Sequence, residues 1–415
     1  GTQASVTRAL RLIEDGALDE ADVEQLAARV GLGARQLRRL FVAHVGATPQ
    51  AVAANRRLLA AKQLISDTDM AFSDIAFASG FQSLRRFNDA VKASYGVAPT
   101  GLRRGAMREH PGEAITLRLG FRPPFNWPQL LGYLSFRAIP GVEEISATRY
   151  RRTFRLGDAT GIIDAKPSAK PNALDVSIRS EGQAPIRQVA ARMRRIFDLD
   201  ADPAAIAAAL SGDPVIGPRL KRVKGLRVPG AFDGFELAIR AILGQQVSVK
   251  GATTLAGRLV QRCGEALALA DGTLTHIFPA PAALAGADLS GLGLTGGRIS
   301  ALKAFASAVT RGEVSLSPGA SLENKIAELC AVPGIGAWTA HYIALRAIGE
   351  PDAFPAADLG LRKSAGGGVP VSTRVLEEMS EAWRPWRGYA ALALWMAPDV
   401  ETKPMAAQAG AIAAD

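Results

Sequence analysis

Val332-Pro333-Gly334-Ile335-Gly336-Ala337-Trp338-Thr339-Ala340, followed shortly by Phe354-Pro355-Ala356-Ala357-Asp358, is the stretch whose reading decides the fold. A Pro-Gly-x-Gly turn lies between two apolar runs of helical period, 322–329 and 339–348. Glycine accepts backbone conformations closed to other residues and lets a ligand come close to the main chain. Free N–H groups at the start of the second helix then make a place to hold a phosphate. Asp358 follows as a single carboxylate in a Pro-containing loop. Together they describe a grip on a nucleic-acid backbone beside an acid that works on a nucleotide.

Working outward, 415 residues are too many for one ordinary core, and two to four domains are expected. Hydrophobic residues make up 48%, enough for a buried interior without cross-links. Lys and Arg outnumber Asp and Glu by 49 to 39, a net charge of +10. That favours a polyanionic partner, and it equally fits an arginine-rich protein of a high-GC genome. Cys263 and Cys330 stand far apart without neighbouring ligands, which excludes a disulfide scaffold, a zinc finger and a four-cysteine iron–sulfur cluster. His44, His110, His276 and His341 are scattered and read as four unrelated residues. No apolar run is long enough to span a bilayer and no signal-peptide core opens the chain. The expectation is a cytoplasmic, nucleoid-associated bacterial protein with no membrane partner. Gly1 in place of a starting Met reads as the beginning of a fragment.

Residues 1–108 read as helices with an internal repeat. One copy runs Leu26-Ala27-Ala28-Arg29-Val30-Gly31-Leu32, then Gln36-Leu37-Arg38-Arg39-Leu40-Phe41, and closes with Gly46-Ala47-Thr48-Pro49. The other runs Ile75-Ala76-Phe77-Ala78-Ser79-Gly80-Phe81, then Leu84-Arg85-Arg86-Phe87, and closes with Gly96-Val97-Ala98-Pro99. Each is a helix, a Gly-centred turn and an amphipathic helix with arginines outward, the pattern that offers a second helix to a major groove. The repeat resembles the paired helix-turn-helix domain of AraC-type regulators. Arg35, Arg38 and Arg39, with Gln82, Ser83, Arg85 and Arg86, are the expected groove or phosphate contacts.

A linker is expected near 103–113, marked by Arg103, Arg104, Arg108 and Pro111-Gly112. Beyond it the apolar period becomes two, at Ile115, Leu117, Leu119 and Phe121 and at Leu174, Val176 and Ile178, with 150–156 a further strand. Residues 115–182 are thus a small antiparallel β-rich domain. A helix after Trp127-Pro128 should carry Leu130, Leu131, Leu134 and Phe136. Helices return over 183–402, for example at 186–197, 203–210 and 235–243, with Gly-rich joints at 291–297 and 364–368. The Ala-rich tail, 403–415, is expected to fray. The fold class is mainly α with a small antiparallel β unit (α+β).

The segment 115–400 resembles the helix-hairpin-helix DNA glycosylases, and among them the 3-methyladenine DNA glycosylase II (AlkA) type. The motifs in order are Phe125-Asn126-Trp127 with Leu131-Gly132-Tyr133; Arg240-Ala241-Ile242-Leu243-Gly244-Gln245-Gln246-Val247-Ser248; the hairpin; Asp358-Leu359-Gly360-Leu361-Arg362; and Trp383-Arg384-Pro385-Trp386-Arg387-Gly388-Tyr389. The resemblance implies that Asp358 is catalytic and steadies an oxocarbenium-like sugar as the N-glycosidic bond breaks. It implies a base pocket of Trp338, Tyr342, Trp395 and Tyr133, suited to a cationic base by stacking and cation–π attraction. Gln246, with Gln245, matches the wedge that fills the gap left by an extruded nucleotide. Gly334, Ile335, Gly336 and Thr339 are the implied phosphate contacts.

Main-chain carbonyls of Cys330, Val332 and Ile335 are implied ligands for a structural Na⁺ or K⁺, and no cofactor is required. Strand-nicking relatives place a lysine where this chain has Trp338, and Lys363 does not match it, so the resemblance implies a monofunctional enzyme. The implied partners are duplex DNA with alkylated bases and, through the helix-turn-helix pair, promoter DNA, the chain acting as a monomer. Proteins joining these two modules often carry a zinc-binding methyl-acceptor domain; its cysteine cluster does not occur here, so methyl sensing is not assigned to these residues. The rival reading is a regulator whose glycosylase half only clamps DNA.

Overall fold

The computed structural model describes residues 2–67, 70–103, 114–182, 186–319 and 321–396. Most of the expected linker and all of the expected tail, 403–415, lie outside the described residues.

Each helix-turn-helix copy is built from local signals. Asp22 caps the helix Val23–Arg29 by accepting the Gln25 N–H at 2.8 Å, and Ser83 caps Leu84–Tyr95 through the Arg86 N–H. The second helices of the two copies, Ala34–Val45 and Leu84–Tyr95, end at Gly46 and Gly96, both left-handed (φ +77° and +74°). Pro49 and Pro99 open the next helices, Pro49–Asp67 and Pro99–Leu102. The closing Gly-x-x-Pro of each copy is therefore a helix stop followed by a helix start.

The β unit is a five-stranded antiparallel sheet in the order β1-β5-β4-β3-β2. Its strands are β1 Ile115–Gly120, β2 Glu143–Ile145, β3 Tyr150–Leu156, β4 Ala159–Pro167 and β5 Ala173–Glu181. Leu117 and Leu119 of β1, and Leu174, Val176 and Ile178 of β5, point into one core as their alternation predicts. β4 is covered on both sides. Ile163 joins the main core, while Ile162 packs on Leu267, Leu274 and Ile277 of a separate hairpin, Glu265–Asp271 with Leu274–Ile277. The helix Trp127–Ser135 carries Leu130, Leu131 and Leu134 inward as expected, but Phe136 lies past its end and is 58% exposed.

The central helix Gly234–Leu243 is buried nearly all round, and Asp233 caps it. Its two charged residues tie it to the sheet. Arg152 donates to Glu236 at 2.6 Å, Arg240 donates to Glu143 at 3.0 Å, and the Tyr150 hydroxyl donates to Glu143 at 2.7 Å. Each buried charge has an opposite partner, the condition under which such groups are tolerated. Apolar residues form two large cores beyond residue 113, the first of which also takes in Ile75, Phe87 and Val91 of the second helix-turn-helix copy. One joins the sheet to Ile186, Met193 and Phe197 and to Phe354, Trp383 and Leu394 near the end of the chain. The other gathers the central helix, Phe305 and the hairpin residues Leu329, Val332 and Ile335. The hairpin residues thus belong to the second core, and Phe354, Ala356 and Leu361 around Asp358 to the first. No helix among the described residues is long and apolar enough to cross a membrane.

Candidate active site

The hairpin helices are Leu322–Cys330 and Ala337–Ile343, and the second continues as one π turn, Ala344–Ile348. Gly334 has φ +86°, and a Cβ there would fall 2.5 Å from the Ala301 side chain. Both conformation and contact therefore demand glycine. Ile335 is buried and its N–H donates to the Val332 carbonyl at 3.1 Å, so that N–H is engaged within the turn. Gly336 is the exposed residue at which the next helix begins, and nothing lies within 4 Å of its Cβ position. Thr339 is only 3% exposed and its hydroxyl accepts from Gln245, so its side chain faces the protein.

Asp358 is the N-cap of the helix Leu359–Ala365, accepting the Leu361 N–H at 2.9 Å on Oδ1. It also receives two indoles. Trp395 Nε1 donates to Oδ1 and Trp338 Nε1 to Oδ2, each at 3.1 Å. Three donors fix the carboxylate, and a lone pair of Oδ2 remains for a reacting group. A Cβ at Gly360 would lie in close contact with Oδ1, at 3.0 Å, and in ordinary contact with the Trp395 ring, at 3.8 Å.

The aromatic residues expected to form a pocket do come together. The Trp338 and Tyr342 rings stack with centroids 5.5 Å apart and 13° between planes, and Trp395 meets Tyr342 edge-on at 6.3 Å. Tyr133 is brought in through Arg346, a residue the sequence reading missed. Arg346 is 2% exposed and donates from Nη1 to both the Tyr133 and the Tyr342 hydroxyls at 2.7 Å. Its spacing four residues beyond Tyr342 was the available signal. Burial works to raise the Tyr342 pKa, but Arg346, Arg137 and the Tyr133 hydrogen bond outweigh it and bring it down to about 8. Burial pushes Tyr133 the other way, upward. The chain running from hairpin to Asp358 is braced by His341, whose Nδ1 accepts the Phe354 N–H at 3.3 Å. Burial holds that imidazole down at about 4.

Gln246 is exposed and adopts φ +55°, a conformation uncommon for a residue with a side chain. Gln245 does not share its exposure. Its amide donates to the Gly334 carbonyl at 3.0 Å and to Thr339 Oγ1 at 3.1 Å, and its own carbonyl accepts from Arg298. Gln245 thus fastens the Gln246 turn to the hairpin, leaving Gln246 as the projecting side chain. Among the described residues no group of three or more His, Cys, Asp or Glu is arranged to hold a metal ion.

On the helix-turn-helix module, Arg35, Arg39, Arg85 and Arg86 are exposed. Arg38 is half-buried and paired with Glu24 at 2.9 Å. Gln82 donates to the Asp19 carbonyl at 3.0 Å while accepting from Arg86, and Ser83 is occupied as the helix cap.

Three family profiles match in the order of these units: a helix-turn-helix domain over residues 26–105, the AlkA N-terminal domain over 116–233, and the HhH-GPD superfamily of base excision DNA repair proteins over 239–387. A probable bifunctional transcriptional activator/DNA repair enzyme AlkA of Mycobacterium tuberculosis is 42% identical over 396 residues, covering 94% of this chain and 79% of the relative. DNA-3-methyladenine glycosylase 2 of Escherichia coli is 36% identical over 282 residues, 67% of this chain and 95% of that protein. The 3-methyladenine DNA glycosylase of Archaeoglobus fulgidus shares the fold, with a TM-score of 0.58 at 21% identity over 67% of this chain and 97% of that one. The chain belongs to the AlkA family of HhH-GPD base-excision DNA glycosylases, here joined to an AraC-type helix-turn-helix DNA-binding module.

Proposed function

We propose that this glycosylase extrudes an alkylated purine, chiefly 3-methyladenine, from duplex DNA, hydrolyses its N-glycosidic bond and leaves the strand intact. The observation that carries the reading is the Asp358 carboxylate held by the indoles of Trp338 and Trp395, two members of the aromatic cluster itself. A base held by those rings would bring its sugar close to Oδ2. In the reaction the C1′–N bond breaks with its electron pair going to the base, and water adds to C1′ with loss of a proton. The fixed carboxylate offsets the positive charge that develops on the sugar between the two events. A methylated purine is already cationic and leaves readily, and each aromatic face favours it over a neutral base by about 0.5–2 kcal/mol.

The remaining roles follow the same reading. Gln246 occupies the stack vacated by the extruded nucleotide, at a position often given to an apolar wedge. Gly334 and Gly336, with the main-chain N–H of Thr339, face the phosphates of the held strand, and Ile335 shapes the turn that presents them. Carbonyls of Cys330, Val332 and Ile335 are the proposed ligands of a monovalent cation bridging turn and phosphate. With Trp338 where a lysine would form a Schiff base, no strand cleavage is expected. The helix-turn-helix pair, residues 1–108, reads promoter DNA through Arg35, Arg38, Arg39, Arg85 and Arg86, supported by Gln82 and Ser83. The β-rich unit from 115 and the helical unit to 402 form the excision half, acting as a monomer on bacterial chromosomal DNA.

Incubating the protein with methylated duplex and measuring free bases tests this directly. Release of 3-methyladenine with an alkali-labile but unbroken strand is expected. No released base sinks the enzymatic reading and leaves a DNA-binding regulator, and a nicked strand sinks the monofunctional one.

A further inference from the structure

The segment that leads from the hairpin helix to Asp358 is anchored first from the other module. Arg8, on the helix Thr2–Glu14 ahead of the first helix-turn-helix copy, donates from Nε to Glu350 Oε1 at 2.9 Å and from Nη2 to Oε2 at 3.4 Å. Both side chains are nearly buried, at 10% and 7% exposure. Arg11, one turn further, donates to the carbonyl of Gly349. Gly349 is the left-handed residue (φ +78°) that ends the π turn, and Glu350 returns its N–H to Ala344 at 2.9 Å. Downstream anchors belong to the excision half: Arg387 on Asp352 at 2.8 Å, His341 on the Phe354 N–H, and the indoles on Asp358.

We propose that Arg8 and Arg11 are positioning residues for base excision, so that the helix-turn-helix module is a structural part of the excision site. The inference rests on the reading of Asp358 as the group that carries the chemistry. A two-pronged arginine–carboxylate pair fixes orientation as well as distance. Removing one member leaves a buried charge that must move toward water, and the turn moves with it. Asp358 lies eight residues beyond Glu350, and a displacement of about 1 Å at a reacting group costs up to about a hundredfold in rate. A second ion pair between the modules, Arg195 with Asp15 at 2.6 Å, is roughly one-third exposed and touches no part of this segment.

The test compares single-turnover release of 3-methyladenine with affinity for a duplex bearing a tetrahydrofuran abasic analogue, using the whole chain. Arg8→Ala and Glu350→Gln should each slow release about tenfold or more while analogue affinity stays within about twofold. The charge swap, Arg8→Glu with Glu350→Arg, should recover a large part of the rate, and Arg195→Ala should stay within about twofold of wild type. Wild-type rates in Arg8→Ala overturn the proposal. So does a parallel fall of rate and affinity that the swap does not recover, which marks a general structural role. A wild-type protein that releases no base removes the excision reading itself, a result separate from either.

Discussion

At Asp358 the two carboxylate oxygens receive three donors, and the two indoles among them, Trp338 and Trp395, each pack on Tyr342. On the second helices of the two copies, Arg35, Arg39, Arg85 and Arg86 stand exposed, and the ion pair between Arg85 and Asp89 spans 4.0 Å at the surface. On the proposed reading both regions meet DNA, but they are built to opposite rules. The first spends its hydrogen bonds in advance, so that geometry is set before substrate arrives. The second keeps its cations at the surface, where phosphate and base edges compete with solvent, salt and side chains such as Gln82 and Asp89. A prearranged site fails when one member is lost. A field of exposed charges degrades by degrees.

The sharpest way to break that contrast is Asp358→Asn. It should cut single-turnover excision by on the order of 10²–10³ while binding of an abasic-analogue duplex is largely kept. Loss of both would mean that capping the Leu359–Ala365 helix is the residue's main task. Next in size is the acid stability of the braced segment. The folded His341 pKa of about 4 lies below the ordinary value of 6.5. The unfolded chain therefore takes up a proton between pH 6.5 and 4 that the folded chain refuses, and stability falls as pH drops through that window. The loss reaches at most about 3 kcal/mol and is complete below pH 4. His341→Gln should flatten the acid limb of a denaturant titration over that range, and an unchanged slope would show the imidazole to be solvated. Smallest is Arg39→Ala with Arg86→Ala, which should weaken operator binding by about 2 kcal/mol and lower its salt dependence. Excision from a short duplex should not change. An equal loss of both activities would erase the distinction between the two regions.

Much of this was legible in the sequence where the signal is local. Gly334, the Gly-x-x-Pro closures and Asp358 ahead of Leu359 each announce a backbone requirement that no distant residue alters. Strands β1 and β5 were legible as period-two runs, and β3 as a further strand over 150–156. β4 was not, because Ile162 and Ile163 are adjacent yet buried on opposite faces, in separate clusters. The 265–277 hairpin is rich in alanine, which carries little strand preference. Side chains that act across the fold were the least legible. Nothing near Arg8 in the sequence points to Glu350, 342 positions away. Gln245 and Thr339 read as contacts to DNA because their partners, a carbonyl and each other, come from chain folding alone. Phe136 read as core because its spacing continues a helix that in fact stops at Ser135.

The two helix-turn-helix copies differ in a way that bears on inheritance. The first encloses Leu26, Leu37 and Phe41 in a core of its own, whereas Ile75, Phe87 and Val91 of the second share one cluster with Leu117 and Leu119 of the sheet. Gln63, on the helix joining the copies, also donates to the Arg118 carbonyl of β1 at 2.7 Å. A cut between the modules would bare part of this shared apolar cluster on both sides. Recombination that exchanged the second copy for a foreign counterpart would therefore have to preserve a surface that fits the sheet, whereas the first copy carries no such constraint from this cluster.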